Sequence, residues 1–143
     1  MKCLFSACLL GVACRYDGTS NENDKILETW KEEGGLVVCP EQLGGMTTPR
    51  KPSTLEGGDG RDALDGKAAL VNDAGENVTE NFLRGAREAG RLARLAGVEV
   101  AYLKAGSPSC GCNRTNIDWQ RSPGCGVTAA LLERSGIRII EVE

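Results

Sequence analysis

The chain contains no histidine, and that absence excludes every histidine-based catalytic triad and every mixed Cys/His zinc site. Aromatic residues are scarce at 4%, so the core cannot rest on large rings. No apolar run approaches the roughly 20 residues that span a bilayer. The N-terminus, Met1-Lys2-Cys3-Leu4-Phe5-Ser6, is a poor signal peptide, because its apolar stretch runs quickly into Gly11, Arg15 and Asp17. A basic excess is also missing. The net charge of −3 gives no global pull toward nucleic acid, although Arg50, Lys51, Arg114 and Arg121 offer local positive charge. These features together predict a cytoplasmic protein with reduced thiols.

What the chain does have is seven cysteines and 19 glycines in 143 residues. An odd cysteine count argues against a closed disulfide framework. The length predicts a single domain over residues 1–143. Short apolar strands are expected at Lys2–Ala7, Leu36–Val38, Lys67–Val71 (an edge), Val98–Leu103 and Ile137–Val142. Helices are expected over about Glu22–Glu33, from a capping box at Asn77-Val-Thr-Glu80 to Ala96, and over Val127–Arg134. This alternation predicts an α/β fold, with a mostly parallel, Rossmann-like sheet flanked by helices and a site at the carboxyl ends of its strands. Residues 41–66 read as one long functional loop. Its Asp59, Asp62 and Asp65 do not match a calcium loop and read as solvated carboxylates.

Cys8, Cys39 and Cys110 each follow a predicted strand, beside Gly11, Pro40 and Gly111, which shape backbone rather than fill a core. Three thiols distant in sequence would then meet on one rim of the sheet. Thiolates select zinc, or iron–sulfur clusters. The dispersed spacing decides neither, and buried small hydrophobes remain the alternative. Cys14 reads as auxiliary or inert, Cys3 as core, and Cys112 and Cys125 as additional thiols that can reach the same rim.

At these residues the chain resembles the thiouracil desulfidase (TudS) family, long classed as a domain of unknown function. The likeness covers nearly the whole chain. It is carried by Ser6-Ala-Cys8-Leu-Leu-Gly11, Cys14-Arg-Tyr-Asp-Gly18, Cys39-Pro-Glu41, Gly44-Gly45, Thr48-Pro-Arg50, Gly57-Gly-Asp-Gly60, Val78-Thr-Glu80, Leu103-Lys104, Ser107-Pro-Ser-Cys110-Gly111 and Gly126-Val-Thr-Ala-Ala-Leu131. The segments Cys110-Gly-Cys112 and Gly124-Cys125-Gly126 depart from the common pattern.

The resemblance implies a 4Fe-4S cluster held by Cys8, Cys39 and Cys110, with one iron open. It also implies Glu41 as the acid/base carboxylate, and Ser107 or Ser109 as a hydrogen-bonding serine near the third cysteine. The expected reaction removes sulfur from a small thiolated nucleobase, 2-thiouracil to uracil plus hydrogen sulfide, without electron transfer. Lys104 is either an orienting or substrate-contacting residue or a plain surface lysine, and Arg15 with Asp17 reads as a structural pair. Competing readings are a 4-thiouridine desulfidase acting on tRNA, a non-catalytic iron–sulfur or zinc module, and a thiol redox protein using Cys110 and Cys112. Nucleic acid is the less expected partner given the acidic charge.

Overall fold

The computed structural model describes residues 2–143. Four strands form a wholly parallel sheet: β1 (Cys3–Ser6), β2 (Leu36–Val38), β5 (Val100–Lys104) and β8 (Arg138–Val142), in the order β2-β1-β5-β8. The alternating side chains of β1 and β5 explain why both faces are covered. Leu4, Ala101 and Leu103 point into a core shared with α4 (Thr79–Ala96) and α5 (Val127–Arg134). Cys3, Phe5, Val100 and Tyr102 point the other way, toward α1 (Asp24–Glu33), where Phe5 and Tyr102 stack at 5.0 Å between ring centroids. Cys3 is therefore a core residue, as expected from sequence.

A second sheet was not anticipated. It is mixed, in the order β4-β3-β6-β7, from β3 (Ser53–Glu56), β4 (Ala69–Asn72), β6 (Arg114–Ile117) and β7 (Gln120–Pro123). Leu55 and Leu70 from this sheet pack on Phe82, Ala86 and Val127, so the buried face of α4 spans both sheets, Phe82 and Ala86 on this one and Ala93 on the parallel one. The predicted edge strand at Lys67–Val71 is β4, at the border of this sheet. The stretch read as one loop from 41 to 66 in fact holds β3 and two short helices, α2 (Pro40–Leu43) and α3 (Gly60–Leu64). Each is four or five residues long and too short to show a period. The β6–β7 hairpin escaped notice for a related reason. Its two-residue turn places Asp118 and Trp119 at φ 49 and 64, with none of the Asn-Gly chemistry that usually marks such turns.

The helix signals need two corrections. Asn77 does not open a capping box: its side chain accepts from the Thr79 amide at 3.0 Å, while the Thr79 hydroxyl turns back to the amide of Leu70 at 2.9 Å. The capping box sits instead on α3, where the Asp59 carboxylate accepts from the Arg61 and Asp62 amides and Asp62 returns to the Asp59 amide. Asp65 pairs with Arg134 at 2.9 Å. The three aspartates are thus structural caps and pairs rather than free loop charges.

Small residues on α4 let it approach its neighbours closely. A Cβ added to Gly85 would land on the Pro40 carbonyl oxygen, and one added to Gly44 would land on the Asn81 carbonyl oxygen. Asn81 also donates to the Gly44 carbonyl at 2.9 Å. This backbone-to-backbone contact seats α2 on α4, and with it the Cys39-Pro-Glu41 turn. Among the described residues no helix is long and apolar enough to cross a membrane. Gly85→Ala should cost about 1–3 kcal/mol through overpacking, read as a lower urea midpoint. An unchanged midpoint would show that α2 is not held this way.

Candidate functional site

The parallel sheet has its topological switch point between β1 and β5, because the chain leaves β1 for β2 on one side and returns to β5 on the other. Ligands in open α/β sheets gather outside the carboxyl ends of the strands at such a point. A cavity of about 480 Å³ lies there, of the size that takes a small ligand. Cys8 enters it from the short 3-10 helix Ala7–Leu10 that follows β1. Cys39 enters as the residue that caps α2 after β2, and Cys110 from the loop after β5. Glu41, Ser107, Ser109 and Lys104 line the same space. These seven residues, all singled out from sequence, therefore line one cavity.

Cys14 belongs there too. It is 2% exposed, and its thiol lies against the sulfurs of Cys8 and Cys39, to either of which it can offer its single proton. Such a hydrogen bond stabilises a thiolate at its acceptor. The Cys39 thiol is brought down to about 6, first by Cys14, then by the Gln42 amide and by the charge of Arg50, against the cost of burial. The Cys8 thiol is brought down to about 7 by Cys14 and by Asn21, whose Nδ2 stands 3.6 Å from the sulfur. Cys14, as the shared donor, is pushed up. Burial pushes Cys110 up to about 12, against the Ser6 hydroxyl, while Ser109 Oγ stands 3.8 Å from its sulfur. Cys8, Cys14, Cys39, Cys110, Cys112 and Cys125 are all in the thiol form. Among the described residues, no group of three or more Cys, Asp and Glu side chains stands in an arrangement that grips a metal ion.

Glu41 is not a solvated loop carboxylate. Arg50 Nε donates to its Oε1 at 2.9 Å, and both side chains are largely buried. The Ser109 hydroxyl donates to its Oε2 at 2.9 Å. The direction of the next bond follows by counting donors. Ser107 Oγ already accepts from the Cys110 amide at 2.7 Å and the Ser109 amide at 3.2 Å, and stands 3.1 Å from Ser109 Oγ. With the Ser109 proton given to Glu41, Ser107 is the donor to Ser109. A chain Ser107→Ser109→Glu41 results.

Arg50 is a site residue to which the sequence reading assigned no role. It also donates to the Cys14 carbonyl at 2.8 Å and so links the Cys14 loop to Glu41. Its signals in the sequence were its charge and the Thr48-Pro-Arg50 motif. Trp119, Asn116 and Arg121 of the unforeseen hairpin line the cavity as well. Arg15 acts on Asp17 through its charge, but the direct partner of Asp17 is Thr19. Asp17 accepts from the Thr19 hydroxyl at 2.6 Å, and Arg15 lies over the Tyr16 ring. Cys112 and Cys125 lie away from the cavity. Cys125 is buried beside Asp59, and the Cys112 amide is bound by Glu141.

A sequence profile of the family described as 2-thiouracil desulfurase matches residues 3–143. The uncharacterized protein YbbK of Bacillus subtilis (strain 168) is 40% identical over 140 residues, which cover 96% of this chain and 93% of that protein. A solved structure described as the [4Fe-4S]-dependent thiouracil desulfidase TudS superposes with a TM-score of 0.84 at 39% identity, over 98% of this chain and 89% of the other.

The thiol shifts have a direct readout. In metal-free protein at pH 7, iodoacetamide should modify Cys39 first and Cys8 next, with Cys110 well behind both. Labelling of the first two should rise with pH from about 5 and level off near 8, because thiolate accumulates only above each pKa. Equal labelling rates at Cys39 and Cys110, followed by mass spectrometry, would contradict the hydrogen-bond assignment at Cys14.

Proposed function

Since the chain belongs to the 2-thiouracil desulfurase family, we propose that it removes sulfur from free thiolated pyrimidines such as 2-thiouracil, by hydrolysis and without redox chemistry. Water and the thiocarbonyl compound give the carbonyl compound and hydrogen sulfide, so no electron carrier is required. The observation that carries this reading is the convergence of three thiols and the Ser107–Ser109–Glu41 chain on one cavity.

The donor set fits a 4Fe-4S cluster. Cys8, Cys39 and Cys110 present soft sulfur ligands from three separate loops, and two of them are already held near the thiolate state. These three would hold the cluster, leaving one iron open, with Cys14 beside them as a hydrogen-bond donor. When bound, the cluster supplies a thiophilic Lewis acid that polarises the C–S bond.

The protein's own residues supply the proton chemistry. Glu41 follows Cys39 by two residues and takes a proton from the attacking water at its carboxylate. Arg50 on Oε1 and Ser109 on Oε2 fix the plane of that carboxylate, so its basic oxygens keep one orientation. The proton taken by Glu41 passes to the departing sulfur and the carboxylate is regenerated. Ser107, held by two backbone amides, keeps the Ser109 hydroxyl pointed at Glu41. The apolar share of the cavity wall, with Pro40, Val38 and Trp119, suits a flat heterocycle.

The test is anaerobic reconstitution with iron and sulfide, following 2-thiouracil absorbance together with hydrogen sulfide release. Turnover should depend on the cluster. Glu41→Gln should retain iron and sulfide per chain and lose about 10²–10⁴-fold in kcat, the usual range for a general acid–base group. A Glu41→Gln protein that turns over at the full rate, or a loaded wild-type protein that leaves 2-thiouracil intact, would overturn the proposal.

A further inference from the structure

Cys112 and Cys125 stand outside the cavity and take no part in its chemistry. The β6–β7 hairpin pairs Arg114 with Pro123, Thr115 with Ser122, Asn116 with Arg121 and Ile117 with Gln120. Carried outward past the strand ends, the same register sets Asn113 opposite Gly124, Cys112 opposite Cys125, and Gly111 opposite Gly126. The backbone follows it: the Gly124 amide donates to the Asn113 carbonyl at 3.1 Å, and the Gly126 amide donates to the Gly111 carbonyl at 2.6 Å.

Hydrogen-bonded and non-hydrogen-bonded pairs alternate along an antiparallel ladder. With the pairs on either side bonded, Cys112 and Cys125 fall at a non-hydrogen-bonded position. Arg114 and Pro123 occupy another, where proline has no amide proton to offer. The polar groups of the two cysteines turn outward, as such a position demands. The Cys112 amide donates to Glu141 at 3.1 Å and the Cys125 amide to Asp59 at 3.3 Å, while the Cys125 carbonyl accepts from the Gly60 amide at 2.7 Å. At a pair of this kind the Cα atoms are about 4.5 Å apart and the side chains share a face. A disulfide needs a Cα separation of about 4.4–6.8 Å. Arg61 lies beside the Cys125 thiol, and its charge is felt at Cys112.

We propose that Cys112 and Cys125 are an oxidisable pair that closes to a disulfide by exchange with a low-molecular-weight disulfide. Cys112 is half-buried and Cys125 is 2% exposed, so Cys112 meets the oxidant. Its thiolate attacks one sulfur of the oxidant, breaks that S–S bond and releases one small thiol. The Cys125 thiolate then attacks the Cys112 sulfur of the mixed disulfide, forms the protein S–S bond and releases the second small thiol. Two protein thiols are oxidised, one external disulfide is reduced, and the two protein protons end on the released thiols. The bridge braces the turn that already joins the cavity loop to the start of α5, where the amides of Val127 and Thr128 donate to the carbonyls of Pro108 and Ser109. The inference is independent of the cavity's chemistry.

The experiment treats the full chain with excess oxidised glutathione without air, blocks free thiols with iodoacetamide, and digests with trypsin under non-reducing conditions. Cleavage after Arg114 and Arg121 separates the two cysteines. The expected product is a linked pair of peptides, 105–114 and 122–134, with fragmentation placing the bond on Cys112 rather than Cys110. The treated protein should melt higher by about 5 °C or more, as expected for a staple on a short loop. Cys125→Ser should stop at a glutathione adduct on Cys112, and Cys112→Ser, at the less buried position, should give no link to Cys125. A bond from Cys125 to Cys110, bridges confined to Cys8, Cys14 and Cys39, or seven alkylated thiols would each overturn the proposal. Because the readout is a mass rather than a turnover, its failure is distinct from failure of the desulfidase reading.

Discussion

The Glu41 carboxylate, shared between Arg50 and Ser109, is the contact on which the cavity depends. Arg50 reaches Glu41 with one nitrogen and the Cys14 carbonyl with another, while Ser109 approaches from the loop after β5. Three loops far apart in sequence, which carry Cys14, Cys39 and Cys110, are thus joined through one charged group. A largely buried ion pair of this kind adds little net stability, yet removing one partner strands the other. Its value lies in position: the carboxylate cannot turn without breaking a bond to a loop that carries a thiol.

Beneath this network the packing is built from small residues. Ala86, Ala89 and Ala93 on α4 are fully buried, and Gly85 meets the backbone of α2 directly. Few aromatics are needed when helices approach this closely, which accounts for the 4% content without loss of a dense core. The same closeness sets the height of the Cys39-Pro-Glu41 turn above the sheet. Stability and site geometry therefore draw on the same contact.

The thiols divide into two populations by environment. Cys8 and Cys39 accept hydrogen bonds at the cavity and are poised toward thiolate, whereas burial keeps the Cys110 thiol protonated. A soft, positively charged group bound between them would relieve that cost at Cys110. A further pair, Cys112 and Cys125, flanks the β6–β7 hairpin two residues beyond its last paired positions, Arg114 and Pro123.

The parallel sheet was legible in the sequence because its strands are short apolar runs separated by helices with clear periods, and α5 was read to the residue. The placement of Cys8, Cys39 and Cys110 at strand ends followed from that alternation, since parallel strands send their carboxyl ends to one rim. The second sheet was not legible. Strands of four residues such as Arg114–Ile117 and Gln120–Pro123 carry too few apolar positions to alternate, and their turn lacks glycine. The bond of Glu41 to Arg50, the donation from Ser109, and the seat of Cys14 between two other sulfurs are long-range contacts, and no local pattern encodes them. They exist only once the chain has closed, because each partner is supplied by a different loop.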